Sequence, residues 1–227
     1  ECIDPESPGN TIDISYDMST DILKVSDNGR SFNESKYSMR VFMTTLQSGS
    51  KFNRSAGVDS SGEFGVGMTV VNALSDYFKV IAYRDKEETI HTVEFKEGII
   101  VEDKVEKNKK KLRGTTVEFR VSRKYMGNDA KLPIDEVINW LDSLFYLNSN
   151  NLKKNNIKAS VTVYDGLEVV NSIKFKPKSF SDLIGKIIPS TLKKKDLSDV
   201  CYINGDTKLV EPTKVLVENG DGNTEVA

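Results

Sequence analysis

The chain has 227 residues, of which 37% are hydrophobic and 29% are charged, so it is long and apolar enough to bury a core. Its net charge of −2 excludes a general electrostatic attraction to nucleic acid, and no apolar run reaches the ~20 residues of a membrane span. The two cysteines, Cys2 and Cys201, are too few for a disulfide framework and lack zinc-site spacing, which favours a cytoplasmic protein. Because the first residue is Glu1 rather than methionine, we expect a piece of a longer protein.

The first part of the chain predicts a hairpin and two helices. Apolar and polar residues alternate over 11–16 and 22–25, which predicts two paired strands. From 37 to 47 the apolar residues recur at helical spacing. A polar, glycine-containing stretch at 48–61 is long enough to be a lid, and a second apolar helix opens at Gly67.

The rest of the chain predicts strands around one long helix. Strand patterns cover 77–83, 89–95, 99–105, 115–121, 157–164 and 168–175. The helix spans Ile134–Leu147, with Val137, Trp140, Leu141, Leu144 and Phe145 on one side. Together these elements predict an α+β fold, a two-layer sandwich in which helices cover one face of a mixed sheet.

A glycine run at 62–67, leading into the second helix, is the first candidate site. Glycines leave the backbone N–H groups accessible, and the N-terminus of a helix attracts anions. A P-loop would need lysine where the chain has Met68, and the dinucleotide fingerprint has the reverse glycine spacing. The run predicts a phosphate site of another type or, alternatively, a plain flexible loop.

The segment Asp27-Asn28-Gly29-Arg30 is the second candidate. Asn-Gly between apolar runs is a common hairpin signal. In the functional alternative, Asp27 at a strand end accepts a hydrogen bond from a ligand amino group, and Gly29 lets a flat ring approach the backbone. The segment by itself leaves both interpretations open.

Four segments, in order, resemble the ATPase region of the DNA gyrase B subunit and its topoisomerase IV counterpart. They are 27–30, 41–52, 61–75 and 114–115. The resemblance implies the Bergerat-type fold, which gyrases share with histidine kinases, heat-shock chaperones and mismatch-repair ATPases. It also implies an ATP-binding domain over 1–175 and the start of a transducer domain over 176–227.

The resemblance implies a role for each residue at a matching position. The implied ATP-binding residues are Asp27, Gly29, Lys51, Gly62, Phe64, Gly65, Val66, Gly67 and Thr115. Asp27 would bind the adenine amino group with help from Gly29 and, through an ordered water, Thr115. Lys51 and the N–H groups of 65–67 would hold the phosphates. The adenine pocket would be lined by Phe32, Phe42, Met68 and Val117.

The resemblance assigns the catalytic groups to parts outside the chain. The general-base glutamate and the Mg²⁺-binding asparagine are expected roughly thirty residues before Asp27, a loop-plus-strands distance, and therefore before residue 1. Glu1 would be the last acidic residue of that motif and would pair with Arg30. The resemblance thus implies no catalytic residue and no metal ligand here, and we expect the 227-residue piece to hydrolyse no ATP by itself.

Some positions depart from the family pattern. Ser31, Ser50 and Ser61 stand where glycines are usual, and Glu63 and Phe64 replace leucine and histidine. A hydroxyl-bearing residue stiffens a loop, and Glu63 adds negative charge near the expected phosphates. We therefore expect weaker nucleotide binding than in typical members.

The function that the resemblance implies is ATP binding within a type IIA topoisomerase, where ATP closes a lid and dimerises two subunits to gate DNA passage. The implied cofactors are ATP and Mg²⁺, and the implied partners are DNA, a second ATPase subunit and a cleavage subunit or domain. The expected setting is the cytoplasm of a bacterium, or of a bacterium that hosts a phage, with no membrane partner.

Two alternatives remain at this point. The chain could be a non-catalytic, nucleotide-gated interaction module or another ATPase of the superfamily, of the histidine kinase, chaperone or mismatch-repair type. His91, the one histidine, lies in a strand pattern and is expected to be a structural or surface residue rather than a phospho-acceptor. The lysine clusters at 107–113 and 193–195 are expected to be solvated loops.

Overall fold

The structure is a computed structural model, which describes residues 2, 9–32, 39–46, 65–128, 131–147, 152, 156–175, 215–216 and 225–226. The chain divides into two compact units, Glu1–Pro177 and Lys178–Ala227. Within the described residues, the first unit contains eight strands and four helices, and the second contains one pair of short strands.

The strands of the first unit are β1 (Thr11–Asp17), β2 (Ile22–Asp27), β3 (Ser75–Arg84), β4 (Thr89–Lys96), β5 (Ile99–Lys107), β6 (Gly114–Val121), β7 (Lys158–Asp165) and β8 (Glu168–Phe175). Its helices are α1 (Met39–Thr44), α2 (Gly67–Leu74), α3 (Arg123–Met126) and α4 (Ile134–Leu147). The second unit contributes the antiparallel strands β9 (Val215–Leu216) and β10 (Glu225–Val226). No described helix is both long and apolar enough to cross a lipid bilayer.

The eight strands form one sheet in the order β5-β4-β3-β6-β2-β1-β7-β8. β1 and β7 pair in parallel, and the other neighbours pair antiparallel. The mixed sheet is therefore confirmed, with β6 and β2 at its centre and β5 and β8 at its two edges.

Two hydrophobic cores lie under the helices. Buried side chains of α1 pack with those of β3 and β4, and Phe145 of α4 packs with those of β1, β7 and β8. Val25 of β2 packs at the margin of the core under α4, and Val117 of β6 packs at the margin of the core under α1. The two valines stand opposite each other in the ladder between β2 and β6. Residues opposite one another point to the same face of a sheet. The helices therefore cover one face, and the predicted two-layer α+β sandwich is confirmed.

The element bounds agree closely with the sequence patterns in most places. α4 and β8 have the predicted bounds, and the other strands of the sheet differ from them by one or two residues at an end. The first helix was predicted over 37–47, but α1 covers Met39–Thr44; residues 37, 38 and 47 lie outside the described residues, as does the expected lid at 48–61. α3 was not predicted. Ser122 caps it, because its hydroxyl accepts a hydrogen bond from the backbone N–H of Lys124 at 3.3 Å.

The buried side of α4 differs from the predicted one. Trp140 was placed on the apolar side, yet its side chain is 62% exposed. The core contacts come from Ile134, Ile138, Leu141 and Phe145, which recur at intervals of four, three and four. Phe145 also packs on Phe175 of β8, with ring centroids 5.4 Å apart. The predicted set also recurs at helical spacing, so the apolar pattern by itself admits both sides of the helix.

Candidate functional site

Asp27 is the last residue of β2, at the centre of the sheet. It stands opposite Thr115 of β6 on one side and opposite Ile12 of β1 on the other. Because strand residues alternate between faces, Asp27 lies on the same face as Val25, which packs under the helices. The structure thus brings the carboxylate and the Thr115 hydroxyl together on the helix-bearing face. Asp27 Oδ1 also accepts a hydrogen bond from the backbone N–H of Gly29 at 2.7 Å.

Asn28-Gly29 does not form a hairpin turn. Among the described strands β2 pairs only with β1, which precedes it, and with β6. Instead, Asn28 Oδ1 accepts hydrogen bonds from the backbone N–H groups of Asn10 at 2.8 Å and Thr11 at 2.9 Å. The hairpin interpretation is wrong, and Asn28 fastens the segment before β1 to the loop after β2. Sequence reasoning missed this role, although asparagine after a strand end often bonds to nearby backbone.

Two glycines let backbone segments meet beside Asp27. Gly114 begins β6 with φ +108°, and a Cβ there would lie 1.8 Å from the carbonyl oxygen of Asp27. A Cβ on Gly9 would lie 2.5 Å from the backbone nitrogen of Gly29. Neither approach is possible with a side chain at the glycine. The position of the Asp27 loop therefore depends on both glycines.

The four expected pocket-lining residues come from separate segments and meet at one core. Phe32 follows the Asp27 loop, Phe42 lies on α1, Met68 on α2 and Val117 on β6; all are partly buried against the same hydrophobic cluster. The rings of Phe32 and Phe42 pack with centroids 5.6 Å apart and planes tilted by 40°. Since Val117 is two residues after Thr115 on the same face, this apolar surface adjoins the Asp27–Thr115 pair.

Among the described residues, no side chain caps the N-terminus of α2. Its N-cap residue Val66 makes no capping hydrogen bond, and its first turn carries no acidic residue. The first hydrogen bond of the helix runs from the N–H of Val70 to the carbonyl of Val66 at 3.0 Å. The N–H groups of 67–69 therefore have no acceptor within the helix. Gly65, with φ +59°, adopts the left-handed conformation before the helix. This end of α2 has the features of an anion site.

Polar side chains of α2 hold α1 in place. Thr69 Oγ1 donates to the carbonyl groups of Phe42 at 3.3 Å and Thr45 at 3.1 Å, and Asn72 Nδ2 donates to the carbonyl of Met43 at 3.0 Å. These hydrogen bonds join α2 to the C-terminal end of α1 and to Thr45, which directly follows it. Sequence reasoning missed both residues. The signal was two polar residues at i and i+3 in an otherwise apolar helix.

Ser31, four residues after Asp27, has a buried hydroxyl group without a partner among the described residues. A buried polar group without a partner costs about 1–3 kcal/mol. Cys2 is 5% exposed and lies near Asp27. Burial, and to a lesser extent the negative charge of Asp27, raise the pKa of its thiol.

Several expected site residues lie outside the described residues. They are Glu1, Lys51, Gly62 and Phe64. Arg30, Gly65, Val66 and Gly67 are described, at the end of the Asp27 loop and the beginning of α2. In the described part of the chain no three histidine, cysteine or acidic residues come close enough to hold a metal ion. A cleft of about 50 Å³ at the other end of β2 and β6 contains none of the expected residues.

His91 has a structural position. It is 6% exposed on β4, and its Nε2 hydrogen-bonds with Asp103 Oδ1 of β5 at 2.7 Å. Arg40 of α1 donates from Nε to the other oxygen of that carboxylate. Burial raises the pKa of Asp103, but the hydrogen bonds from His91 and Arg40 outweigh it and leave the pKa below its ordinary value. The cluster ties α1 to β5 with a charged carboxylate.

The chain is similar in sequence to bacterial topoisomerase proteins. It is 31% identical to the DNA topoisomerase 4 B subunit of Mycoplasma capricolum over 216 residues, which cover 88% of this chain and 30% of that protein. It is 35% identical to the DNA gyrase B subunit of Campylobacter jejuni over 116 residues, 48% of this chain and 15% of that protein. No protein-family model matches. The chain therefore spans less than a third of the length of these relatives.

Its fold is that of a solved gyrase domain. The structure superposes on the 43K ATPase domain of Thermus thermophilus gyrase B, solved in complex with an aminocoumarin, with a TM-score of 0.54. The match covers 74% of this chain and 40% of that one at 23% identity. The expected Bergerat-type fold is thereby confirmed.

Proposed function

Because the chain is a homologue of the ATPase region of gyrase B and topoisomerase IV B, we propose that it is the ATP-binding part of a type IIA DNA topoisomerase. One observation carries the proposal: the Asp27–Thr115 pair adjoins an apolar surface and shares its face of the sheet with the N-terminal end of α2. A carboxylate and a flat apolar surface suit adenine, and the helix end suits phosphates.

In this proposal each group of the site has a separate task. The Asp27 carboxylate accepts a hydrogen bond from the adenine amino group, and Thr115 supports the same edge of the base through a water. The base lies against Phe32, Phe42, Met68 and Val117. The N–H groups of 65–67 bind the phosphates, and we extend that role to Lys51, Gly62 and Phe64.

Mg²⁺ belongs to the proposal as the phosphate counterion, since it neutralises charge that develops when the terminal phosphate is cleaved. The resemblance assigns its asparagine ligand and the general-base glutamate to the segment before residue 1. The chain's own part is to bind and orient the nucleotide.

For the parent protein we propose the cycle of the family. ATP binding closes a lid at 48–61 and dimerises two subunits, and this gates DNA passage together with a cleavage subunit or domain in the bacterial cytoplasm. The ATP-binding domain would cover 1–175 and the start of the transducer 176–227, close to the division between the two compact units.

Thermal unfolding with nucleotide analogues tests the proposal. At ten times its Kd, a ligand that binds only the folded state adds about 1.4 kcal/mol of stability. For a chain of this size we expect a non-hydrolysable ATP analogue to raise Tm by about 3–6 °C. The matching GTP analogue, at the same concentration, should shift Tm less, since its base carries a carbonyl where adenine carries the amino group. Equal shifts with both analogues would contradict an adenine site.

A further inference from the structure

β5 is an open edge of the sheet. All nine of its residues are exposed, including Val101 at 51% and Val105 at 59%, and no described strand pairs with its outer side. Such an edge carries a row of unpaired N–H and C=O groups, which can bind another strand. Proteins usually block it with charges, and β5 carries several. Their order in the sequence is therefore informative.

The end of β5 is self-complementary in charge. Residues 103–107 read Asp-Lys-Val-Glu-Lys. If two copies pair antiparallel about a two-fold axis at Val105, each Asp103 stands opposite Lys107 and each Lys104 opposite Glu106. The two Val105 side chains face one another at the axis. Every charged residue from 103 to 107 then meets an opposite charge, which stabilises cross-strand pairs.

Neighbouring registers do not have this property. An axis at Asp103 places the two Asp103 carboxylates opposite each other, and an axis at Lys104 places lysine against lysine and Glu102 against Glu106. Like charges directly opposite destabilise a strand pair. The charges therefore oppose those registers and favour the axis at Val105.

Lys104 and Glu106 are the side chains most available for this pairing. They are 52% and 53% exposed, lie on one face of β5 and form an ion pair at 2.8 Å. Pairing of two copies would join two such pairs into a network of four charges, which is more effective than an isolated surface pair. Asp103 contributes less, because His91 and Arg40 already bind its carboxylate.

We propose that β5 pairs antiparallel with β5 of a second copy of this chain, with the two-fold axis at Val105. The two sheets then form one continuous sheet, and the association needs no nucleotide. The paired segment is short, so the dimer is weak and depends on concentration.

Exchange of the two central charges tests the proposal. Lys104→Glu places glutamate against Glu106, and Glu106→Lys places lysine against Lys104. In sedimentation at low salt, each variant alone should associate at least about tenfold more weakly than the original chain. A mixture of the two variants should form a heterodimer, since each then meets opposite charges. The double variant Lys104→Glu/Glu106→Lys should recover the original association. Lys86→Glu, an equal charge change in the exposed turn after β3, should change nothing.

A cysteine at the axis tests the register. Opposite residues of an antiparallel pair lie about 4.5–5.5 Å apart between Cα atoms, within disulfide range. In a Cys201→Ser background, Val105→Cys should form a covalent dimer on oxidation. Val101→Cys should not, because the two copies of that residue would be about 26 Å apart along the strands. A chain that stays monomeric at all concentrations, single variants that do not pair when mixed, or cross-linking through position 101 would overturn the proposal.

Discussion

Replacement of Asp27 by asparagine is expected to weaken binding of an ATP analogue by about 10- to 100-fold. A hydrogen bond to a charged group contributes about 1.5–3 kcal/mol, and asparagine both removes the charge and can turn an amide donor toward the adenine amino group. The backbone around the site should persist. Asparagine keeps an Oδ1 that can accept the hydrogen bond from Gly29, now at 2.7 Å.

Calorimetric titration of the 227-residue chain measures this effect. Asp13→Asn is the matched control: Asp13 lies on neighbouring β1, opposite Ser26 rather than opposite a site residue, and accepts a hydrogen bond from Ser160 at 2.6 Å. Since Asp13 alternates with the buried residues of β1, its side chain points to the other face of the sheet. Unchanged affinity in Asp27→Asn would remove the adenine assignment. An equal loss in Asp13→Asn would point to a general effect of charge.

Gly114→Ala is expected to lower the free energy of unfolding by about 3–5 kcal/mol and to abolish nucleotide binding under the same conditions. The new Cβ would lie 1.8 Å from the Asp27 carbonyl oxygen, a contact with backbone that no side-chain rotation relieves. The residue also has φ +108°, where side chains are strained. Either β6 or the Asp27 loop must move, and both carry the site.

Gly98→Ala is the control that separates the two causes. Gly98 has φ +76° in the turn between β4 and β5, but a Cβ there would meet no atom within 4 Å. Only the backbone strain of a side chain at positive φ remains, and it lowers the free energy of unfolding by about 1–2 kcal/mol. Urea denaturation of both variants gives the comparison. If Gly114→Ala costs no more than Gly98→Ala, the close approach of Asp27 and Gly114 is not as described.

Local patterns in the sequence were enough to predict most of the fold. The alternation of apolar and polar residues predicted the bounds of β8, and helical periodicity predicted those of α4. What failed was the choice between apolar residues of similar pattern, as at Trp140, because burial depends on partners that the helix alone does not reveal. α3 was missed since a helix of a single turn has no period to detect.

The candidate site was only partly predictable. The resemblance supplied Asp27, Thr115 and the apolar residues, which the structure brings together. The residues that hold those parts in place, Asn28 and Asn72, act through hydrogen bonds to backbone from distant segments. The residue types and positions are visible in the sequence, but the distant backbone groups that they bind are not.

Hydrogen–deuterium exchange with and without a saturating ATP analogue tests the central claim most directly, because it locates the bound nucleotide. We expect slower amide exchange over 27–32, at the beginning of α2 and over 114–117, with no change in β8. Protection confined to the cleft at the other end of β2 and β6, or spread over β7 and β8, would contradict a nucleotide site at Asp27.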